Sequence, residues 1–190
     1  NMIAKRAGSY RACVVYTNLV GGQDELVFDG HSLVMTPNGK CLARGNAFAE
    51  ELIFVDLEIP RPKSLHGKTA NPAGIKTCHL ARTKDNKSPK PPLPPRAVHK
   101  CSEIEEIYKG LVLGTRDYIL KNGFKKAVLG LSGGIDSALT AVIAADALGA
   151  ENVIGVLMPS PYSSQGSVDD SLALAKNLQV QTFTFPVEKA

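Results

Sequence analysis

The residue types best suited to chemistry stand together in Gly130-Leu131-Ser132-Gly133-Gly134-Ile135-Asp136-Ser137, which we call the glycine-serine loop. The loop overlaps the end of an apolar run, residues 127–131, and is followed by a second apolar run, residues 138–148. This order predicts a strand, a turn and the start of a helix. Adjacent glycines let the backbone turn without side chains in the way, so successive N–H groups can point at an anion on the positive end of the helix. The stretch therefore predicts a phosphate-binding loop.

Commoner phosphate-binding motifs do not fit this loop. A Walker A motif requires Lys directly after its last glycine, and no Lys follows Gly133 or Gly134; the spacing does not match the dinucleotide motif G-x-G-x-x-G either. Ser132 and Ser137 offer hydroxyl donors, whereas Asp136 would repel a bare phosphate unless a hard cation such as Mg²⁺ lay between them. These groups favour a metal-bound polyphosphate. The structural alternative is an Asp-capped helix behind a Gly-Gly turn.

The string Ser132-Gly133-Gly134-Ile135-Asp136-Ser137 resembles the pyrophosphate loop, SGGxDS, of the N-type ATP pyrophosphatases. Members of that family split ATP into AMP and pyrophosphate while they activate an oxygen of the acceptor as an adenylate. The resemblance implies ATP and Mg²⁺ as cofactors, with Asp136 as the metal ligand. The nucleotide-binding residues that it implies are Gly130, Leu131, Ser132, Gly133, Gly134, Ile135, Asp136 and Ser137. The motif alone does not choose among the NAD, GMP and asparagine synthetases and the tRNA-modifying enzymes of the family.

Strands and helices are predicted to alternate around the glycine-serine loop. The predicted strands cover residues 127–131, 153–158 and 181–185, and the predicted helices cover residues 138–148 and 167–178. Asp170 completes the predicted cap of the last helix. An earlier helix begins at a capping box, Ser102 and Glu105, and closes at Lys121-Asn122-Gly123. The alternation predicts a parallel sheet with right-handed crossovers, whose ligands lie at the carboxyl ends of the strands.

A second loop follows the middle strand and falls at the same edge of the predicted sheet. Its string Met158-Pro159-Ser160-Pro161-Tyr162-Ser163-Ser164 resembles the MPSxYSS segment of the two-domain NAD synthetases, a region that closes over ATP in that family. The resemblance implies contact with the nucleotide. The alternative is a proline-ordered connector whose hydroxyl groups only cap the next helix.

The first part of the chain is predicted to be rich in β-strands. The predicted strands cover residues 12–17, 32–36, 40–43 and 52–57. Pro37-Asn38-Gly39 predicts the turn of a hairpin, because Pro fixes φ and Asn-Gly can take positive φ. Residues 18–32 are expected to form a polar loop that is either a site or a structural corner.

Residues 14–57 resemble the final third of a nitrilase-type amidase domain, the glutaminase domain of the glutamine-dependent NAD synthetases. In that family a Glu, a Lys and a nucleophilic Cys do the work, and all three lie upstream of a string like residues 18–32. Cys13 and Cys41 fall inside predicted strands, without the sharp turn and acidic neighbour that expose and activate a thiolate. No catalytic residue is therefore assigned within this chain.

Residues 58–100 are predicted to be an extended, semi-rigid connector. They contain ten Lys or Arg and two acidic residues, and eight of the twelve prolines of the chain. The segment lacks Phe, Tyr and Trp, so the stacking platforms of single-stranded nucleic-acid binding are missing. A solvated linker is the preferred interpretation of this charge, and His66, His79 and His99 are interpreted as exposed loop residues.

Composition sets few further limits on function. With 190 residues and 44% hydrophobic content the chain can bury a core, and the sequence contains no run of about 20 apolar residues and no signal-peptide pattern. The cysteines Cys13, Cys41, Cys78 and Cys101 are widely spaced and are predicted to be free thiols. A cytoplasmic protein without membrane contacts is the expectation.

In order along the chain, the segments resemble those of a glutamine-dependent NAD synthetase. They are a nitrilase-like segment (residues 1–57), a proline-rich basic linker (58–100) and an ATP pyrophosphatase segment (101–190). The resemblance implies an α/β fold, a doubly wound parallel sheet of the adenine nucleotide alpha hydrolase type, preceded by the C-terminal β-rich part of a nitrilase-like α/β sandwich. It implies a ligase that amidates deamido-NAD (nicotinic acid adenine dinucleotide) to NAD through an adenylate, with nitrogen from glutamine or ammonia. It also implies a homo-oligomer at full length, with no nucleic-acid partner.

Two alternatives stay open. The chain is interpreted as an internal fragment that lacks the glutaminase nucleophile and later metal and substrate groups, so it could be a non-catalytic nucleotide-binding fragment. It could also come from another N-type ATP pyrophosphatase such as GMP synthetase, although the unrelated glutaminase of that enzyme does not predict the β-rich segment. An enzyme acting on RNA is disfavoured, because the chain lacks a basic, aromatic platform.

Overall fold

The computed structural model describes residues 2–58, 91–94, 96 and 100–187. Most of the predicted connector, residues 58–100, and Cys78 lie outside the described residues. The helices are α1 (Met2–Tyr10), α2 (Glu103–Lys121), α3 (Ile135–Leu148) and α4 (Gln165–Leu178). The strands are β1 (Val14–Tyr16), β2 (Val20–Gln23), β3 (Leu26–Asp29), β4 (Leu33–Met35), β5 (Cys41–Arg44), β6 (Ala127–Gly130), β7 (Val153–Leu157) and β8 (Gln181–Thr184).

The first five strands form what we call the β-region (residues 14–48). An antiparallel sheet has the order β1-β4-β5, and its β4–β5 pair confirms the hairpin predicted around Pro37-Asn38-Gly39. Gly39 has φ +79°, which a residue without Cβ adopts at no steric cost. The short helix α1 packs Ala7 against Leu33 and Met35 of this sheet. The helix was not predicted from the sequence.

Two predictions for the first 57 residues are wrong. Residues 18–32 were expected to be a loop, but β2 and β3 pair as an antiparallel hairpin whose turn is Asp24-Glu25, with Asp24 at φ +50°. Residues 52–57 were expected to be a strand, and no strand is found among residues 51–58. Their side chains alternate between half-buried and exposed, but this pattern makes no strand without a partner ladder.

Helix α2 begins where the capping box predicted. The Ser102 hydroxyl accepts a hydrogen bond from the Glu105 N–H at 3.3 Å, and the chain leaves the helix through Gly123 at φ +81°. Leu113 is the buried residue of this helix. None of the helices in the described residues combines the length and the apolar character that crossing a bilayer requires.

The strands β6, β7 and β8 form a parallel sheet in that order, joined by α3 and α4. The predicted α/β fold, with antiparallel strands preceding a parallel sheet, is thereby confirmed. Val153 and Leu157 of the central strand are almost fully buried beneath the two helices. Helix α3 approaches the sheet closely because its buried residues are all alanine: Ala141, Ala144, Ala145 and Ala147. Because β6 and β7 are parallel neighbours, their carboxyl ends lie side by side at one edge of the sheet.

Candidate functional site

The glycine-serine loop connects the carboxyl end of β6 to the first turn of α3. Gly130 is the last residue of β6. Leu131 is buried against Ala141 and Leu157, and its N–H donates to the Val156 carbonyl at 2.8 Å. The backbone donor and side chain of Leu131 are thus engaged within the fold. The groups that remain for a ligand belong to residues 132–137.

Two serine hydroxyl groups hold the turn of the glycine-serine loop together. The Ser132 and Ser137 oxygens lie 3.1 Å apart, and the Ser137 hydroxyl donates to the Gly134 carbonyl at 2.9 Å. The Ser132 oxygen in turn accepts from the Gly134 N–H at 3.3 Å. Both side chains are on the outside of the loop rather than in the core, so their hydroxyl groups can exchange these partners for phosphate oxygens.

The N-terminus of α3 has no side-chain cap. Its N-cap residue is Gly134, which has no side chain to accept from the first-turn N–H groups. The alternative of an Asp-capped helix is therefore wrong, because Asp136 lies inside the first turn and projects from an exposed position. Uncapped N–H groups and the helix dipole both favour an anion at this end.

Gly133 is held against the first turn of α4. A Cβ atom built on Gly133 would lie 2.4 Å from the Ser167 carbonyl oxygen, and its φ is +79°. Both facts require glycine at this position. The same Ser167 carbonyl accepts from the buried Ser171 hydroxyl at 2.9 Å. Sequence analysis missed this contact, because a carbonyl on a distant helix leaves no local signal.

The second loop, residues 158–164, folds over the same edge of the sheet. Ser163 accepts from the Ser160 N–H at 2.9 Å, and Ser164 caps α4 by accepting from the Ser167 N–H at 3.1 Å. The helix therefore starts at Gln165, and the cap predicted at Asp170 is wrong. The better signal for this helix start was Ser164 itself, because serine is a preferred N-cap residue.

The two loops, together with α4, border an open cavity of about 130 Å³ at the ends of β6 and β7. Its lining residues are Leu131, Ser132, Leu157, Met158, Pro159, Ser163, Ser167, Val168 and Ser171. Small-molecule sites usually measure about 300–1,000 Å³, so this space can take one part of a nucleotide, with the remainder outside. Its lining combines serine residues with apolar side chains.

Asp136 is the acidic residue within the glycine-serine loop, and its carboxylate could ligate a metal. No group of three or more His, Cys, Asp or Glu side chains suited to a metal occurs among the described residues. A protein-only cage is thus missing from that part of the chain. Mg²⁺ nevertheless fits one exposed carboxylate, because it is commonly bound through one or two carboxylates together with water and substrate phosphates.

A second polar cluster, in the β-region, is a structural corner. His31 lies 2.8 Å from Asp29 through Nδ1, and the other Asp29 oxygen accepts from Asn18 Nδ2 at 3.1 Å. Ser32 Oγ accepts from the Asn18 N–H at 3.0 Å. These groups satisfy one another beside a cavity of about 260 Å³. Cys13 and Cys41 are free thiols in or beside the β-region strands, as predicted.

Comparison with known proteins agrees with this geometry. Residues 107–190 match the NAD synthase family. Over 97% of its length the chain is 43% identical to the glutamine-dependent NAD(+) synthetase of Thermotoga maritima, and over its whole length it is 44% identical to the protein of that name from Aquifex aeolicus. The matched segments make up 33% and 34% of those proteins. The chain thus spans about a third of the length of the curated relatives it matches.

Two solved structures have the same fold. The glutamine-dependent NAD+ synthetase from Acinetobacter baumannii, in complex with adenosine diphosphate, superposes with a TM-score of 0.72 at 33% identity. The match covers 98% of this chain and 30% of that one. The glutamine-dependent NAD(+) synthetase from Cytophaga hutchinsonii superposes with a TM-score of 0.69 over 98% of this chain and 32% of that one. At 17% identity, this second likeness concerns the fold alone.

Proposed function

We propose that this chain, as a member of the NAD synthase family over residues 107–190, carries part of a glutamine-dependent NAD synthetase. The proposed part is the one that uses ATP to activate the acceptor. In this reaction ATP adenylates the carboxylate of deamido-NAD and pyrophosphate leaves. Ammonia, supplied directly or from glutamine, then displaces AMP to give the amide of NAD. The protein is accordingly a carbon-nitrogen ligase with ATP as cosubstrate.

The observation that carries this proposal is the uncapped N-terminus of α3 behind the glycine-serine loop. Its free N–H groups, together with Ser132 and Ser137, would bind the phosphates of ATP. Negative charge grows on the pyrophosphate as it departs, and donors already fixed in place stabilise that charge without rearranging. Gly133, pressed against Ser167, keeps the loop in this conformation.

The second loop completes the proposed nucleotide site. Met158 and Pro159 add apolar lining to the cavity, and Ser163 is a serine in the same lining. This mixed lining suits a ligand with a flat apolar part and a phosphate chain. The adenosine diphosphate in the related A. baumannii structure supports the same class of ligand.

Asp136 is the proposed Mg²⁺ ligand. The metal would neutralise part of the charge of the phosphates when bound. Asp136 would contribute one carboxylate, held at the first turn of α3, and would thereby orient the metal-bound phosphates toward the helix N-terminus. The fit rests on the exposed position of this carboxylate beside donors that prefer an anion.

The β-region is proposed to belong to the glutaminase domain that supplies the nitrogen. Its residues support that domain's fold and take no proposed part in glutamine hydrolysis. On this proposal the chain divides into a glutaminase segment (residues 1–57), a linker (58–100) and a synthetase segment (101–190). Cytoplasmic location and homo-oligomeric assembly stay predictions.

The deciding experiment measures AMP and pyrophosphate release from ATP by a full-length protein that contains this sequence. Deamido-NAD, xanthosine monophosphate and aspartate are offered in turn, with glutamine as nitrogen donor. Release that depends on deamido-NAD, with NAD formed in equal amount, is the expected result. Release with another acceptor would keep the pyrophosphate-loop chemistry and overturn the family assignment; no release with any acceptor would leave a nucleotide-binding fold.

The role of Asp136 is tested separately by Asp136→Ala. We expect the Mg²⁺ concentration needed for half-maximal AMP release to rise about tenfold or more, because loss of even an outer-shell partner of a metal lowers its affinity about 10–100-fold. Asp169, an exposed aspartate on α4, gives the matched control Asp169→Ala. An Asp136→Ala protein that binds ATP with Mg²⁺ as tightly as the unchanged protein would refute the metal assignment.

A further inference from the structure

The β2–β3 hairpin and helix α2 meet at a crossing of glycines. Gly21 and Gly22 of β2 are both buried. A Cβ atom built on Gly22 would lie 3.3 Å from the Gly114 Cα and 3.2 Å from the Asp117 Cβ. A Cβ atom on Gly114 would lie 3.1 Å from a methyl group of Val27 in β3. The two elements therefore approach backbone to backbone, at a distance that larger side chains would not allow.

Side chains of α2 also satisfy the outer edge of the hairpin. The Gly22 N–H donates to Asp117 Oδ2 at 2.8 Å, and the Gly22 carbonyl accepts from Lys121 Nζ at 2.5 Å. Asp117 and Lys121 are one helical turn apart and form an ion pair at 3.6 Å. A strand edge normally presents such N–H and C=O groups to another strand. Here an acid and a base on one helix take the place of that strand.

Asp117 is the more firmly held of the two side chains. Its side chain is only 13% exposed, against 55% for Lys121. Burial by itself raises the pKa of Asp117, but the hydrogen bond from the Gly22 N–H and the nearby Arg116 guanidinium outweigh it, so the pKa lies below its ordinary value. The carboxylate is therefore stabilised in the charged form that accepts from the hairpin.

The same helix also contacts α3, which begins at the glycine-serine loop. Near the start of α2, the Tyr108 hydroxyl donates a hydrogen bond to Asp146 of α3. Asp117 and Lys121, which hold the hairpin, lie in the second half of α2. One rigid element thus joins the β-region to the helix whose N-terminus is proposed to bind phosphate.

We propose that Asp117 is a positioning residue. Through its contact with Gly22 it holds the β-region in a fixed position relative to the ligase site, so that ammonia released from glutamine reaches that site. This inference rests on the proposed function. Ammonia that leaves a displaced donor domain is lost to solvent, whereas ammonia added in bulk reaches the ligase site from any direction. Loss of the Asp117 carboxylate should therefore lower NAD formation from glutamine and not NAD formation from added ammonium.

The test compares Asp117→Ala with the unchanged full-length protein containing this sequence, using glutamine or ammonium chloride as nitrogen donor. We expect glutamine-driven NAD formation to fall about tenfold, as when a hydrogen bond to a charged group is lost. Ammonium-driven NAD formation should stay close to that of the unchanged protein, and more glutamine should be hydrolysed per NAD formed. An equal fall with both donors, or an unchanged ratio of glutamine hydrolysed to NAD formed, would overturn the proposal.

Two further variants separate positioning from simple structural support. Asp117→Asn keeps an oxygen that can accept from Gly22 and should restore most of the glutamine-driven activity; a loss as large as in Asp117→Ala would overturn the hydrogen-bond account. Arg116→Ala removes a different partner of Asp117, one that does not belong to the hairpin and contacts Asp117 at 3.1 Å, and it should leave the ratio unchanged.

If Asp117→Ala does not fold, Lys121→Met decides. This exposed residue donates to the Gly22 carbonyl, and its loss should move the donor ratio in the same direction by a smaller factor. A normal ratio in Lys121→Met would then overturn the proposal. Failure of the unchanged protein to make NAD from ammonium would instead contradict the proposed function itself.

Discussion

The chain contains two glycine pairs, Gly21-Gly22 and Gly133-Gly134, whose backbone groups meet different surroundings. The first pair is buried, and the N–H and C=O of Gly22 are both taken by side chains of α2. The second pair stands at the end of a parallel strand, where Gly134 begins α3 without a side-chain cap. The first pair packs the β-region against α2, whereas the second leaves the N–H groups at the start of α3 without a side-chain acceptor.

The difference shows that the neighbours of a glycine pair, rather than the pair itself, determine what it does. Gly22 lies opposite Gly114 and within reach of Asp117, so close packing and hydrogen bonds fill the space. Gly133 is braced by Ser167 on one side, and its loop borders a cavity on the other. Substitutions at the two pairs should therefore affect different properties. Those at Gly21-Gly22 should affect the packing of the β-region against α2, and those at Gly133-Gly134 should affect nucleotide binding.

The largest effect is expected for Gly133→Ala. The new methyl group would lie 2.4 Å from the Ser167 carbonyl, and the residue would keep a φ of +79° that costs a non-glycine residue on the order of 1–3 kcal/mol. We expect ATP-dependent AMP release by the full-length protein to fall by about a hundredfold or more, equivalent to about 2.7 kcal/mol. Initial rates at saturating acceptor measure this loss.

Gly123→Ala is the matched control for this substitution. Gly123 has nearly the same φ, +81°, but nothing lies within 4 Å of a Cβ atom built on it. The control therefore carries the backbone strain without the clash, and it lies away from the glycine-serine loop. AMP release lost equally in both variants would mean that positive φ, and not the contact with α4, explains the effect.

The second largest effect is expected for Gly22→Ala. The new methyl group would lie 3.2 Å and 3.3 Å from atoms of α2, so the helix would have to shift by a few tenths of an ångström, and overpacking of this kind costs about 1–3 kcal/mol. The free energy of unfolding should fall by that amount, while ATP binding to the folded protein stays unchanged. Chemical denaturation and equilibrium nucleotide binding measure the two quantities. Gly8→Ala, where nothing lies within 4 Å, should not destabilise the protein; equal destabilisation of both variants would argue against a tight crossing.

A smaller effect is expected for Ser164→Ala, which removes the cap of the helix that braces Gly133. Loss of a serine cap costs about 1 kcal/mol, so the melting temperature should fall by a few degrees. Asp170→Ala is the comparison, because Asp170 was predicted to complete the cap of a helix beginning at Ser167 and lies within the helix. Thermal unfolding of the two variants decides between them: a larger loss for Asp170→Ala would restore the sequence-based assignment.

The parallel sheet could be predicted from sequence because its signals are local. The apolar runs of β6 and β7 are bounded by turns, and the serine cap of α2 stands directly before the helix in the sequence. The glycine-serine loop was likewise recognisable, since its glycines, hydroxyl groups and aspartate are consecutive. That part of the candidate site needs little information from distant residues.

The β-region could be predicted only in part, because much of its structure depends on distant partners. Val20-Gly21-Gly22-Gln23 has few β-branched residues and carries two glycines, which weaken a strand pattern, and its edge is completed by α2. Residues 52–57 show the opposite case, a good strand pattern with no strand in the structure. The contacts of Gly133 with Ser167 and of Gly22 with Asp117 join residues far apart in the chain, so no local window contains them.

The smallest effect concerns Tyr108, on the contact that links α2 to α3 between the two glycine pairs. The hydrogen bond from its hydroxyl to Asp146, with burial and the carboxylate charge, raises the pKa of Tyr108 from 10.0 to about 12. A raised folded-state pKa means that this bond stabilises the protein fully below pH 10 and that the contribution is lost as the pH rises toward 12. The tyrosinate absorbance of the unchanged protein minus that of Tyr108→Phe should therefore show a midpoint near 12. Asp146→Asn should bring that midpoint back toward 10, since it removes the carboxylate, and a midpoint near 10 already in the unchanged protein would mean that the α2–α3 bond does not form in solution.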